Sequence, residues 1–558
     1  MCGDFVPFAK LAASSSHCSF WYGQVGSYGA KQPTLPVGTQ RFSALRQANE
    51  IYVDKTELIY QLAGPGRGQI LLVRPRRFGK SLLVSMLESL FKFGVRDFKD
   101  LAIEKLWTDR QYPVVRLDFS EVREFVDAAE FARKFHEYLV KRFSREGFAF
   151  SENAGSVISQ LSDWLDGLDD NSLVLLIDEY DAPLTASLHD GELFEAVRSI
   201  MSEFYLTLKS VSGSLRFLFV TGITKFSSTS VFSAFNSLRD ISLEPKFGTL
   251  LGYTEEEIVQ NFGSFLEAAA QIIGLNRSEL MTELRANYNG FCFDQLAKTH
   301  VYCPWSVLKF LEVPDLGFQN YWYASGGRPT VLKKYLAGHP LEDPGSFDKP
   351  VNLRIDALSA PRSYDEISTE VLLAQTGYLT IKKRLSSVHL QLGYPNKEVY
   401  ESMGRLYADE LLRSQTGQDC GLEYWTGWLE SGRIDEIVAS FNSVFNGIDY
   451  ARYPVNDEAS CRSHLQMLLI GAGLSPVPES HSALGRSDLE VEAAGRLWVF
   501  EIKYAREPSE EQKLLQEGME QMRARRYGEK LHGKKLMRAV LVFSASKRKF
   551  SAWQLDEP

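Results

Sequence analysis

No apolar run in this chain approaches the roughly eighteen residues of a membrane-spanning helix, so association with a membrane is not expected. The six cysteines (Cys2, Cys18, Cys292, Cys303, Cys420 and Cys461) never fall into a CxxC spacing. That excludes the usual zinc arrangements and fits reduced thiols in a cytoplasmic protein. Nine histidines form no HExxH pair, and His464, inside a helical pattern, reads as a structural residue. A GxSxG elbow and a Cys/His nucleophile pattern are also absent, as are internal repeats and long low-complexity segments. Positive charge is not in excess: the net charge is −9, so any contact with nucleic acid must come from local basic patches. The first 35 residues are rich in Ser and Gly and lack the apolar stretch of a signal peptide; they read as a flexible extension.

At 558 residues, 44% hydrophobic and 24% charged, the chain is globular in composition and too long for one core. The alternation of apolar strand-like runs with helix-like segments predicts an α/β protein with a doubly wound parallel sheet and a second α/β unit at the C-terminus; the motifs quoted below, and the families they resemble, imply a P-loop NTPase with a helical lid followed by a restriction-endonuclease-like α/β domain. The expected divisions are an extension at 1–35, an ATPase core at 36–248, a helical, winged-helix-like lid at 249–345 and a linker at 346–364. A middle region at 365–455 has no assigned chemistry, and a nuclease-like domain occupies 456–558. Strands are predicted at Ile70–Val73, Val114–Phe119, Val174–Ile177 and Phe217–Thr221, each a continuous apolar run suited to burial on both faces. A further strand is expected at Gly377–Ile381, and Thr254 is expected to cap the helix beginning Glu255-Glu-Glu257. The linker rests on four prolines (Pro340, Pro344, Pro350 and Pro361).

The first chemical motif is Gln69-Ile-Leu-Leu-Val-Arg-Pro-Arg-Arg-Phe-Gly-Lys-Ser-Leu-Leu83, an apolar strand, a basic loop and the start of a helix at Leu82–Leu90. Backbone N–H groups at such a helix N-terminus cradle phosphate, the lysine reaches the terminal phosphates and the hydroxyl ligates magnesium. Arg74 stands where the usual pattern has its first glycine. The partner motif is Leu173-Val-Leu-Leu-Ile177 running into Asp178-Glu179: a strand-end acid to hold magnesium, then a carboxylate to polarise water. Thr221 ends the next strand and is a candidate γ-phosphate sensor, with Thr224 and Lys225 just beyond. The expected nucleotide-binding set is therefore Arg74, Arg77, Phe78, Gly79, Lys80, Ser81, Leu82, Asp178 and Thr221, with ATP and Mg2+ (or Mn2+) as cofactors.

Tyr52-Val-Asp-Lys-Thr56, Arg74-Pro-Arg-Arg-Phe-Gly-Lys-Ser81 and Asp178-Glu-Tyr-Asp181 together resemble the bacterial AAA-ATPase-like proteins. So do Gly222-Ile-Thr-Lys-Phe226, Leu251-Gly-Tyr-Thr254, Tyr288-Asn-Gly-Phe291 and Pro304-Trp-Ser306. The resemblance runs from about 36 to 340 and resumes near the C-terminus. It implies ATP binding, with hydrolysis to follow, and an arginine in the first-glycine position is usual in that family. No chemistry is assigned to Asp54 and Lys55.

The second motif is Gly485-Arg-Ser-Asp-Leu-Glu-Val491, a turn at Glu492–Arg496, then Leu497-Trp-Val-Phe-Glu-Ile-Lys503. It is similar to the PD-(D/E)XK arrangement, in which carboxylates place divalent metal and a lysine orients the nucleophile. Asp488 and Glu501, thirteen positions apart, suit adjacent hairpin strands, and period-two alternation sends Glu501 and Lys503 to one face. Glu458, ahead of a helix at Cys461–Ile470, is a further candidate metal ligand beside Asp488 and Glu501. Gln521, with Arg523, Arg525, Arg526 and Tyr527 following, resembles the Gln…Tyr ending of the family's C-terminal domain. Around them Lys513, Lys530, Lys534, Lys535, Lys547, Arg548 and Lys549 make the stretch locally basic, which suits either phosphate contact or a solvated face. Tyr321-Trp-Tyr323 reads as core in preference to a base-stacking platform, and Ser325-Gly-Gly327 as a turn.

The leading expectation is a cytoplasmic ATPase fused to a metal-dependent nuclease acting on DNA, in defence or mobile-element biology. Glu179 would prepare water at the first site; Asp488, Glu501, Lys503 and Gln521 would serve the second. Two rivals remain: an ATP-dependent switch whose nuclease-like domain binds without cleaving, and a scaffold in which ATP drives assembly into a homo-oligomer.

Overall fold

The computed structural model describes residues 33–557, apart from 65, 226–237, 325–331, 333–334, 336–349, 360–367, 412–423, 452, 483, 494 and 530–532. Ser325-Gly-Gly327, Lys530 and most of the extension expected at 1–35 lie outside the described residues.

Five strands build the first sheet: β1 Gly68–Val73, β2 Val114–Asp118, β3 Leu173–Asp178, β4 Leu215–Gly222 and β5 Arg239–Asp240. Their order is β2-β3-β4-β1-β5, with every pairing parallel. β3 and β4 are buried along their whole length, as their unbroken apolar runs require. All four expected strands form. The second ends at Asp118, whose Oδ1 accepts from the Ser120 N–H and Oγ and turns the chain into a short 3-10 segment. The helix after β1 spans Lys80–Phe93, N-capped by Gly79. Because β1 is followed in space by β4 and in sequence by the crossover to β2, the phosphate loop and the ends of β3 and β4 open on one sheet edge, where parallel sheets bind ligands.

Helices at Glu255–Asn261, Gly263–Ile273, Arg277–Tyr288 and Pro304–Glu312 follow, around a second apolar core. Thr254 caps the first of them as expected, in a reciprocal box with Glu257. Asp54 and Lys55 have structural partners here. Asp54 accepts from the Thr56 N–H and the Ala102 N–H, both at 2.8 Å, and Lys55 Nζ contacts Glu257 Oε2 at 2.6 Å. Trp322 is buried and stacks on Phe291 with ring centroids 5.2 Å apart, which settles its place in the core.

The expected linker is not structureless in its described part. β6 (Val351–Arg354) and a helix at Ile355–Ser359 lie within it, and β6 pairs with β8 (His389–Gly393), which also pairs with β7 (Thr380–Arg384). Prolines marked the borders of the segment, whereas its strand is specified by a partner some forty residues away in sequence. The strand expected at Gly377–Ile381 is shifted. Gly377, at φ 86, ends the Thr369–Thr376 helix, and the Tyr378 and Leu379 N–H groups both return to Leu373 O, so extension begins only at Thr380.

The helix Lys397–Leu411 packs on the helix Glu458–Gly471. Gly404 leaves room for that packing: a Cβ there would stand 2.1 Å from Ile470 Cγ2. The last sheet contains β9 (Val477–Pro478), β12 (Leu489–Ala493), β13 (Arg496–Ala505), β14 (Lys535–Ser544) and β15 (Lys549–Asp556), in the order β15-β14-β13-β12-β9. Only β13 and β14 are parallel. A separate ribbon joins β10 (His481–Ser482) to β11 (Gly485–Arg486). The Glu511–Ala524 helix covers β13 and β14.

Candidate functional site

Two sites emerge. At the first, Lys80 is buried at the start of its helix, and its Nζ donates to Arg74 O and Pro75 O, both at 3.0 Å. Burial lowers the Lys80 pKa, against the raising effect of Glu179, Asp178 and Asp181. Asp178 ends β3 fully buried. Its Oδ1 accepts from the Glu179 N–H at 3.0 Å, while Oδ2 meets no donor in hydrogen-bond range among the described residues. Burial raises its pKa, and the nearby Ser81 hydroxyl draws it back down. Glu179 is also raised, first by burial, and sits at φ 47, a left-handed conformation uncommon for a glutamate. A cavity of about 570 Å³ is lined by Lys80, Ser81 and Glu179. Its walls come from the 36–40 segment, Tyr52–Lys55, the phosphate loop from Arg76 to Leu83, Glu179, Leu250–Tyr253 and the Pro304–Trp305 helix start.

Of the residues expected to bind nucleotide, Gly79, Lys80, Ser81 and Leu82 line that cavity, and so do Arg77 and Phe78. Arg77, at φ 71, lays its guanidinium over Trp305, 4.5 Å from the ring centroid. Three expected binding side chains have other partners. Arg74 is turned into the core: its Nη1 donates to Val73 O and Ser242 O, its Nη2 to Phe247 O, and it stacks on Phe293. A buried guanidinium needs acceptors, and backbone carbonyls meet that need here. The Phe78 ring is 1% exposed and packs edge-on to Phe291, Phe293 and Trp322, leaving only its backbone for phosphate. Thr221 Oγ1 donates to Leu72 O at 2.7 Å across the β1–β4 pair, so its hydroxyl does not face the cavity. Asp181, which ends the Asp178-Glu-Tyr-Asp181 motif and had no assigned role, accepts from the Ile223 N–H, the Thr224 N–H and the Thr224 hydroxyl and so orders the two residues after β4.

At the second site Asp488 immediately precedes β12, and Glu501 and Lys503 lie on β13 opposite it. Asp488 Oδ2 accepts from the Ile502 N–H at 2.8 Å. Glu501 is 1% exposed; its Oε1 accepts from Lys503 Nζ at 2.8 Å, and its Oε2 is buried without a donor among the described residues. Burial, then the Asp488 charge, pushes Glu501 up to about 7, and burial raises Asp488 as well. Lys503 also donates to Gln521 Oε1 at 3.2 Å, and Gln521 Nε2 donates to the Tyr527 hydroxyl at 3.3 Å. Glu458 is a weaker member. Its half-exposed carboxylate approaches Lys503 Nζ only to 4.0 Å, and among the described residues no three His, Cys, Asp or Glu side chains could together hold a metal ion. Asp488 and Glu501 still fit Mg2+, which is bound through one or two carboxylates and keeps several waters.

Two further expectations are resolved by packing. His464 Nδ1 lies 2.7 Å from Ser460 O in a buried setting between Phe445 and Tyr453, a structural role. Within the basic stretch, Arg523 pairs with Asp556, Arg526 with Glu529, Lys534 with Glu492, Lys535 with Glu557 and Lys547 with Glu511. That stretch is largely neutralised in place.

A family model described as a predicted AAA-ATPase matches residues 36–232, and one described as the PD-(D/E)XK nuclease superfamily matches residues 457–553. An uncharacterized protein in the vnfD 5' region of Azotobacter chroococcum mcd 1 is 30% identical over 487 residues, covering 84% of this chain and 89% of that protein. The crystal structure of Cdc6p from Pyrobaculum aerophilum aligns with 64% of this chain and 96% of its own, at 12% identity and a TM-score of 0.21, and carries no argument here. Among the described residues no helix is long and apolar enough to cross a membrane.

Proposed function

This chain belongs to the predicted AAA-ATPase family and its C-terminal domain to the PD-(D/E)XK nuclease superfamily; on that premise we propose that ATP at the first site governs metal-dependent cleavage of DNA at the second. The observation that carries this reading is the pair of orphaned, buried carboxylate oxygens, Asp178 Oδ2 and Glu501 Oε2, one beside the phosphate-loop lysine and one beside Lys503. An unpartnered buried carboxylate oxygen is costly unless a cation completes it.

At the ATPase site the loop N–H groups and Lys80 bind phosphates, with Lys80 exchanging two carbonyl acceptors for a stronger anionic one. Ser81 and Asp178 would hold Mg2+, and Glu179 orients the attacking water. At the nuclease site Asp488 and Glu501 would hold Mg2+ or Mn2+, which supplies Lewis acidity and a more acidic bound water. Lys503, fixed by Glu501 and Gln521, positions the nucleophile against the phosphodiester. A role in defence against foreign DNA or in its mobility is the family-level extension of this reading.

The test is incubation of plasmid and single-stranded DNA with Mg2+ or Mn2+, with and without ATP, beside Glu501→Ala. Cleavage by wild type that is lost in the variant and altered by ATP is the expected result. No cleavage of either substrate by wild type would overturn the nuclease reading in favour of a domain that binds without cutting.

A further inference from the structure

Glu479 lies between β9 and β10 at φ 51, a left-handed backbone that costs a glutamate about 1 kcal/mol or more. Its N–H donates to the Asp488 backbone carbonyl at 3.0 Å, which ties this turn to the strand start that carries Asp488. Two guanidiniums from different elements share its carboxylate. Arg462 Nη1, from the Glu458–Gly471 helix, donates to Oε1 at 2.9 Å, and Arg486 Nη1, from β11, donates to Oε2 at 2.9 Å. Two positive charges therefore converge on one negative charge, and both also act on the Asp488 carboxylate.

Fold stability does not account for this cluster. Ion pairs of half-exposed groups contribute about 0–1 kcal/mol each, and the Arg486 and Glu479 side chains are 52% and 40% exposed. Arg462 is different: its side chain is 18% exposed, and its Nε–H is buried without an acceptor among the described residues. A desolvated guanidinium with a spare donor, next to a second guanidinium, is suited to an anion with several oxygens. A carboxylate and a backbone phosphodiester each spread one negative charge over two oxygens, so a phosphate can take the carboxylate's place between the two guanidiniums.

We propose that Arg462 and Arg486 form a clamp for a nucleic-acid backbone phosphate next to the phosphodiester presented to Asp488 and Glu501, and that Glu479 is the resident counter-ion which this phosphate displaces. The inference rests on the reading of the C-terminal domain as one that handles nucleic acid. It assigns the electrostatic contact to two arginines that both act on the Asp488 carboxylate and share a single counter-ion, whereas Arg523, Arg526, Lys534 and Lys547 of the C-terminal basic stretch each pair with a different acid. On displacement the Glu479 side chain turns to solvent, which its exposure allows.

The experiment uses the full chain carrying Glu501→Gln, so that binding is read without cleavage. Anisotropy of a short fluorescent DNA duplex and of a single strand is titrated in Mg2+ over a range of salt. Arg462→Gln and Arg486→Gln are each expected to weaken binding about tenfold and to lower the salt slope by about one. Glu479→Gln is expected to tighten binding, because it removes the competing carboxylate; a merely structural bridge predicts no gain. Unchanged affinity and slope in Arg486→Gln, together with no gain in Glu479→Gln, would overturn the clamp while leaving the nucleic-acid reading intact. No binding of either DNA by the parent Glu501→Gln chain would overturn that reading itself. Arg486, exposed and on a short ribbon, keeps the test decisive should Arg462→Gln fail to fold.

Discussion

The Ser306 hydroxyl donates to Glu398 Oε2 at 2.9 Å, joining the Pro304–Glu312 helix that bears Trp305 to the Lys397–Leu411 helix, which packs on the Glu458–Gly471 helix. Glu398 is fully buried, and its Oε1 also accepts from the Tyr321 and Trp322 N–H groups at 2.8 and 2.9 Å. Burial pushes it up to about 8, against the pull of those three donors. Glu398→Ala strands all three and is expected to cost about 3 kcal/mol in urea unfolding, with Glu398→Gln costing less than half of that. A carboxyl raised in the folded state stabilises fully below its unfolded pKa near 4.5, and that stability is lost as pH rises toward 8. Unfolding midpoints measured across that window should decline in wild type and decline less in Glu398→Gln.

Glu501 makes a parallel prediction at the nuclease site. In the metal-free protein its pKa of about 7 means that stability falls as pH rises from about 4.5 to 7, because the folded state holds a proton that the unfolded state releases. Mg2+ competes with that proton, so added Mg2+ should raise Tm more above pH 7 than below it. Thermal melts of wild type and Glu501→Gln check this; an equal Mg2+ shift in both proteins would remove Glu501 from the metal site.

Glu179 and Lys80 separate hydrolysis from binding. Lys80→Ala is expected to abolish binding of a fluorescent ATP analogue. Glu179→Gln should leave binding within a few-fold of wild type while slowing phosphate release about 10²–10³-fold, the usual worth of a positioned base. Equal hydrolysis by Glu179→Gln would move the base elsewhere.

Arg74 should behave as a structural residue. Its fork reaches Ser242 O and Phe247 O at once, a geometry that a lysine cannot reproduce. Arg74→Lys is therefore expected to lose about 2 kcal/mol of stability while retaining nucleotide affinity at low temperature. Calorimetric titration with ATP below the melting transition distinguishes this from a direct phosphate contact.

Much of the architecture was legible locally. The runs at β1, β3 and β4 are apolar throughout, so burial on both faces followed from composition, and the Asp178-Glu179 pair was placed by the end of its run. The Glu501 and Lys503 side chains share a face because strands alternate, and the 2.8 Å contact follows from that period. The side chains of Arg74 and Thr221 turn to backbone carbonyls for one reason: spacing locates a residue on the loop or strand end, but which way its side chain points depends on acceptors from distant segments. Glu479 gave no signal at all, since its partners Arg462 and Arg486 meet it only through the ribbon and the helix.

By itself, the sequence determined the two motifs, their strand and helix settings and the parallel character of the first sheet, since these depend on periodicity and on residues within one turn or one strand. Tertiary structure decided the rest. It closed the cavity between the 36–40 segment and the lid, turned Arg74 inward and Arg77 onto Trp305, and buried Glu398 between two helices. It also brought two arginines to one carboxylate beside Asp488. Each of these is a contact between residues far apart in the chain, where desolvation and the supply of hydrogen-bond partners, not local pattern, set the side chain's direction and its charge.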